Sequence, residues 1–123
     1  MYHIHSTKSK LSRVLIIDVR KDFEYRGGHI IGAVNACWRT SEAPGLQLCL
    51  SKQVKQMASG APIVFYDEFG GKRAQQACAE AMKTMHGKGH PCFVLTSGYS
   101  KLVKDYPQLC EPRGGHVAEG AWS

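Results

Sequence analysis

Tyr66-Asp67-Glu68-Phe69-Gly70-Gly71-Lys72-Arg73 follows the apolar run Pro62-Ile63-Val64-Phe65 and precedes the alanine-rich segment Ala74-Gln75-Gln76-Ala77-Cys78-Ala79-Glu80-Ala81. The apolar run reads as a buried strand, the paired glycines as a loop and the alanine-rich segment as a helix. In that order the three turn several backbone N–H groups and the positive end of a helix dipole toward one small pocket, with an arginine closing it. The stretch therefore predicts an oxyanion cradle built from Glu68, Phe69, Gly70, Gly71, Lys72 and Arg73. Asp67 opens the loop with a carboxylate, the kind of group such a cradle attracts.

The same alternation extends in both directions. Val14-Leu15-Ile16-Ile17-Asp18-Val19 is a continuous apolar run of the kind buried on both faces of a parallel sheet. Asp22 is expected to cap a short helical turn through Tyr25, ended by Gly27-Gly28. Ile30 to Asn35 reads as one short strand bent at Gly32, and residues 38–45, with Pro44-Gly45, as a loop. Leu46, Leu50, Val54 and Met57 share one face of a helix predicted over residues 46–58, with Lys52 and Lys55 toward water. Downstream, a helix is expected over 74–85, a strand over Cys92–Leu95, a tight turn at Ser97-Gly98 and a short helix over Tyr99–Asp105 that stops before Pro107. Strands alternating with helices indicate an α/β domain with a largely parallel sheet, and ligands of such sheets bind beyond the carboxyl ends of the strands. Residues 1–12 are expected to form a flexible arm, 13–112 the domain and 113–123 a flexible tail.

Composition narrows the function classes. At 123 residues the chain is long enough for one core, and 43% hydrophobic with 21% charged residues is ordinary for a globular protein. No apolar run reaches the roughly 20 residues of a membrane span, and the start Met1-Tyr2-His3-Ile4-His5 lacks the apolar core of a secretory signal, so an intracellular protein, cytoplasmic or nuclear, is expected. Cys37, Cys49, Cys78, Cys92 and Cys110 are odd in number, without paired Cys-x-x-Cys spacing, and read as free thiols of a reducing compartment. His3 and His5 are too weak a pattern for a metal site, and neither metal nor cofactor is expected. A formal charge of +6 favours acidic partners by steering, and with no aromatic residues along a basic stripe nucleic-acid binding is not expected.

Ile16-Ile17-Asp18-Val19-Arg20 and Glu24-Tyr25-Arg26-Gly27-Gly28-His29-Ile30-Ile31-Gly32-Ala33-Val34-Asn35 together resemble the rhodanese-like fold and, within it, the M-phase inducer phosphatases, the cell-division-cycle dual-specificity group. Their pattern here is Asp-Cys-Arg, then Glu-Tyr-x-Gly-Gly-His-Ile-x-Gly-Ala-x-Asn. Their loop reads His-Cys-Glu-Phe-Ser-Ser-Glu-Arg in place of Tyr66 to Arg73. Val94-Leu95-Thr96-Ser97-Gly98-Tyr99 and Leu109-Cys110-Glu111-Pro112 are similar to their Leu-Lys-Gly-Gly-Tyr and Leu-Cys-Glu-Pro ends. The resemblance covers about residues 13–112 and implies a three-layer fold whose central, largely parallel sheet has five strands flanked by helices. It puts the nucleophilic cysteine's position on Asp67, the phosphate-gripping arginine on Arg73 and the first loop glutamate on Glu68. Gly70 and Gly71 replace both serines, and Lys72 replaces the second glutamate.

Two readings of Asp67 compete. Its carboxylate fills the anion site itself, accepting the loop N–H groups and pairing with Arg73, or it attacks phosphate as the aspartyl phosphotransferases do, with a metal to offset the charge. The first is preferred because no carboxylate cluster for a metal stands near the loop. Asp18, Arg20, Glu24 and His29 are read as structural, with His29 fastening its own turn through a backbone hydrogen bond. The expected function is a catalytically inactive phosphatase-like domain acting as a protein-binding or regulatory module. Its rivals are an active protein tyrosine/dual-specificity phosphatase or an arsenate reductase. The expected partner presents an acidic or phosphorylated surface, such as a kinase: non-catalytic rhodanese-like domains of MAP-kinase phosphatases also carry Tyr-Asp in this loop and dock kinases through basic residues beside leucines. Lys52 and Lys55 beside Leu50 and Val54 are the faint counterpart here.

Overall fold

A computed structural model of the chain describes residues 11–117. In order the chain forms β1 (Leu15–Asp18), α1 (Asp22–Gly27), β2 (His29–Ile30), β3 (Val34–Asn35), α2 (Ala43–Gln53), β4 (Ile63–Tyr66), α3 (Lys72–Met85), β5 (Cys92–Val94), α4 (Gly98–Asp105) and β6 (Cys110–Glu111). Four strands make a parallel sheet ordered β3-β1-β4-β5, and β2 pairs antiparallel with β6 in a separate two-stranded sheet. Among the described residues the sheet has four strands, where the resemblance implies five. The single strand expected over Ile30–Asn35 is two strands in different sheets, because the turn at Gly32, with φ at +84°, sends the chain from one to the other.

Register decides what each face of the sheet carries. Leu15 lies opposite Ile63 and Ile17 opposite Phe65, so these four side chains stand on one face. There α2 contributes Leu46 and Leu50, and α3 contributes Ala74, Ala77, Cys78, Ala81 and Met85. The alanines of α3 let its backbone approach the strands closely. On the opposite face Ile16 and Tyr66 meet Tyr99 and Val103 of α4, Cys110 of β6 and Tyr25 of α1. Asp18 lies opposite Tyr66 on that same face, which places a charge at the carboxyl edge of the sheet.

Helix boundaries differ from expectation where proline and charge intervene. Residues Pro44 and Gly45 belong to the first turn of α2, where proline's missing N–H costs nothing, and the 46–58 helix gives way to a 3-10 turn at Val54–Gln56. Lys21, not Asp22, precedes the first helical residue of α1, and the Glu24 carboxylate accepts the Lys21 N–H at 3.1 Å. Residues 1–10 of the expected arm, with His3 and His5, lie outside the described residues. Ser12 is already bridged to the domain, donating its N–H to Gln56 and accepting from Ala58. The expected flexible tail is also docked as far as it is described: Tyr99 Oη donates to the Gly115 carbonyl at 2.6 Å. Among the described residues no helix is long and apolar enough to cross a membrane.

Candidate functional site

The loop between β4 and α3 closes on Asp67, which is buried. Its Oδ1 accepts N–H bonds from Phe69 at 3.2 Å, Gly70 at 2.6 Å and Gly71 at 2.9 Å, and its Oδ2 accepts from Gly71 at 3.1 Å and Ala74 at 3.0 Å. Bonds of this charge-assisted kind contribute about 1.5–3 kcal/mol each, enough to hold the loop as one unit. The donors of the expected oxyanion cradle are thus occupied by a carboxylate of the chain itself.

Glycine is required at two points of this loop. Gly70 has φ at +75°, and a Cβ there would stand 1.8 Å from the Thr96 carbonyl. Across the same contact Gly98, at φ +70°, abuts the Glu68 carbonyl and the Gly70 N–H. Tyr99 and Ser100 donate their N–H groups to the Asp67 and Glu68 carbonyls, each at 2.9 Å, so the start of α4 clamps the start of the loop.

Two expected loop roles are corrected. Arg73 does not pair with Asp67: it lines the cavity above the loop and makes no ion pair among the described residues. Both oxygens of the carboxylate are committed to loop N–H groups instead. Glu68 is not an anion-loop residue either, because its side chain turns inward to buried Arg20, Oε1 to Nη1 at 3.3 Å. Its Oε2 meets His116 Nε2 at 2.5 Å. The cavity that remains, about 200 Å³, is lined by Arg20, Asp67, Glu68, Phe69, Gly71, Lys72 and Arg73. Phe69 stands 63% exposed at its rim beside exposed Lys72.

Beneath the loop, Asp18 and Arg20 form a buried pair with Nη2 to Oδ2 at 2.7 Å, and the Arg20 N–H also donates to Asp18 Oδ1 at 2.9 Å. Arg20 Nη2 reaches the Gly28 carbonyl at 2.7 Å, and its guanidinium lies 4.2 Å from the Tyr99 ring centre. Burial alone would lower the Arg20 pKa, but the hydrogen bond and charge of Asp18, with Tyr66 and Glu68, raise it overall, so this cation stays charged. Burial pushes the Tyr66 hydroxyl far up, helped by Asp18, and the neutral Tyr66 Oη accepts the Ile30 N–H at 3.1 Å. The structural reading of Asp18 and Arg20 fits this geometry. His29 fastens its own turn through Nδ1 and the Tyr25 carbonyl at 2.7 Å, and its Nε2 reaches Glu111 at 3.0 Å. Glu24 is buried; its Oε2 has no partner among the described residues.

Sequence reasoning missed His116. Nothing in Arg113-Gly114-Gly115-His116-Val117 predicts contact with residue 68, and the only hint is the pair of glycines that lets the backbone pass close to Gly27 and Gly28. A Cβ on Gly28 would stand 2.0 Å from the Gly115 carbonyl. Among the described residues no three His, Cys, Asp or Glu side chains gather to hold a metal ion.

A rhodanese-like domain model matches residues 4–105. Mouse M-phase inducer phosphatase 3 is 29% identical over 119 residues, covering 86% of this chain and 25% of its own length. M-phase inducer phosphatase 1-B of Xenopus laevis is 29% identical over 118 residues, covering 89% and 21%. This chain therefore spans a quarter or less of the length of these curated relatives. Among solved structures, an As-Sb reductase from Leishmania major superposes with a TM-score of 0.61 at 17% identity, over 80% of this chain and 70% of that one. A Saccharomyces cerevisiae homologue of single-domain rhodanese and the Cdc25 phosphatase catalytic domain does so with a TM-score of 0.61 at 19% identity, over 77% and 67%.

Proposed function

Because the chain belongs to the rhodanese-like domain family, we propose that it is a member whose transfer chemistry has been lost and whose loop has become a fixed element of a protein-binding or regulatory module. The observation that carries this reading is the Asp67 carboxylate lying on the N–H groups of Phe69, Gly70, Gly71 and Ala74. A thiolate in that position is stabilised by the same donors and remains a strong nucleophile; a carboxylate holding them is a weak one and repels an arriving dianion. Arginine and loop shape are retained, but the N–H groups of Phe69, Gly70, Gly71 and Ala74 are already taken when a group arrives.

The outer rim supports a binding role. Phe69 offers an exposed aromatic face, with Lys72 and Arg73 beside it and Lys52 and Lys55 elsewhere on the surface. With a net charge of +6 this rim suits a protein partner with an acidic or phosphorylated surface, such as a kinase, and association should slow as salt rises. Five free thiols agree with a reducing intracellular compartment, cytoplasmic or nuclear. The rival reading, a phosphatase or arsenate reductase using Asp67, requires the carboxylate to leave its N–H partners before attack. Turnover of an aryl phosphate, arsenate and thiosulfate by the natural protein, with and without magnesium, tests the choice. None is expected, and turnover that disappears in Asp67→Asn would restore the enzyme reading.

A further inference from the structure

A second opening lies where β3 runs out, on the edge of the same sheet. After Asn35 the chain passes Cys37 and arches through the 3-10 turn Thr40–Glu42 into α2. The space enclosed is about 460 Å³, more than twice the volume above the loop, and is lined by Asn35, Cys37, Arg39, Glu42, Leu46 and Cys49 among others. That volume is in the range of small-molecule sites, and its place beyond the carboxyl end of a strand is where open parallel sheets bind ligands. Its floor is fixed, because Asn35 Nδ2 donates to the Asp18 and Arg20 carbonyls, each at 3.0 Å.

The lining has a specific chemistry. Arg39 and Glu42 open on the same space, and neither forms an ion pair among the described residues. Opposite charges that face one cavity without neutralising each other match a ligand bearing both a carboxylate and an ammonium group. The Glu42 carboxylate lies over Gly45, where a Cβ would be 3.5 Å from Oε1. The same cavity is lined by two free, half-buried thiols, Cys37 and Cys49. Burial pushes the Cys49 thiol up, with Lys52 only partly opposing it. It also raises Cys78, and takes Cys92 to about 11 with help from Cys78. The thiolate is the attacking form, so these three are poor nucleophiles, and Cys110 is buried.

We propose that this cavity captures low-molecular-weight disulfides of the amino-acid type, and that Cys37 is the residue that exchanges with them. Arg39 holds the ligand carboxylate and Glu42 its ammonium group. Cys37 releases its proton, and its sulfur attacks one sulfur of the ligand. The ligand S–S bond breaks as the Cys37–ligand bond forms, and the departing thiolate takes up a proton. One disulfide replaces another, so no further oxidant is needed.

The natural chain is exposed separately to oxidised glutathione and to the uncharged bis(2-hydroxyethyl) disulfide, each rate being divided by that of a free model thiol, and the product is mapped by mass spectrometry. Glutathione is expected on Cys37, at a relative rate above that of the uncharged probe. Arg39→Gln, an exposed substitution that does not endanger the fold, should slow the glutathione reaction about tenfold, as loss of one charge-assisted bond implies, and leave the uncharged probe unaffected. Glu42→Gln should also slow only the charged probe. Equal slowing of both probes, no slowing of either, or a label on another cysteine would overturn the assignment.

Discussion

The two faces of the sheet are held together by different physics. Under α2 and α3 the core is apolar: Leu15, Ile17, Leu50, Ile63 and Phe65 pack with small residues of α3, and the fit depends on volume. Under α4 a thin apolar cluster surrounds buried charge, with Asp18, Arg20 and Glu68 joined in one chain that ends at His116. A mismatch in volume on the first face leaves a void that neighbours partly fill. On the second face the loss of one partner strands a charge that nothing nearby replaces. The loop carrying Asp67 is built on that second face, so its position depends on pairing more than on packing.

Arg20→Ala tests that difference most severely. Removing one member of a buried pair costs about 3–5 kcal/mol, since Asp18 and Glu68 both lose the cation they share. Leu50→Ala, fully buried on the apolar face, should cost about 2–5 kcal/mol and spare the loop. Urea midpoints of both variants measure the costs, and amide exchange of residues 67–71 reads the loop. If Arg20→Ala leaves loop protection at the natural level, the ionic face does not position the site.

Gly70→Ala probes where loop and α4 interlock. The residue sits at φ +75°, and the added carbon would meet the Thr96 carbonyl, so strain of about 1–3 kcal/mol from the backbone adds to the displacement of Thr96. Gly32→Ala supplies the contrast: its φ is +84° with nothing within 4 Å of the added carbon, and only the backbone part should appear in the denaturation midpoint. Equal losses at both positions would mean that the contact with Thr96 yields freely.

Asp67→Ser should cost about 1–3 kcal/mol, because the loop N–H groups lose their charged acceptor and serine reaches fewer of them. Sulfate should recover part of this loss, binding more tightly to the variant than to the natural protein, and Arg73→Ala in the same background should abolish the gain. Calorimetric titration compares the affinities. Equal sulfate affinity with and without the Asp67 charge would show that the cradle has lost its shape as well as its vacancy.

The apolar face was legible because period and register carry it. Leu46 and Leu50 declare one helix side, and the strands at residues 15–18 and 63–66 are apolar enough to need cover on both sides. The loop was legible too, down to the self-occupied anion site, since a carboxylate at the opening of a turn of N–H groups has few better partners. Ion pairing was not. Arg73 was expected on Asp67 as the arginine that closes the cradle, while Glu68 found Arg20 and His116, each 48 residues away along the chain, through contacts that no local pattern encodes. Splitting Ile30–Asn35 between two sheets likewise depends on β6, a two-residue strand too short to announce itself.

His116→Ala asks how far the second face extends into the terminal segment, and its effect should be the smallest. The histidine is partly exposed and gives Glu68 one of two side-chain partners, so about 1–2 kcal/mol is expected in the urea midpoint. A second anchor, the Tyr99 hydroxyl on the Gly115 carbonyl, holds the same segment and disappears in Tyr99→Phe. If the segment docks as a unit, the double variant should cost less than the sum of the singles, because either loss alone already loosens the strap. Glu68 would then keep only its 3.3 Å contact to Arg20, and the Phe69 and Gly70 amides, next along the loop, should exchange faster although neither touches His116. Strict additivity with unchanged exchange at those amides would make His116 a surface contact and confine the ionic face to Asp18, Arg20 and Glu68.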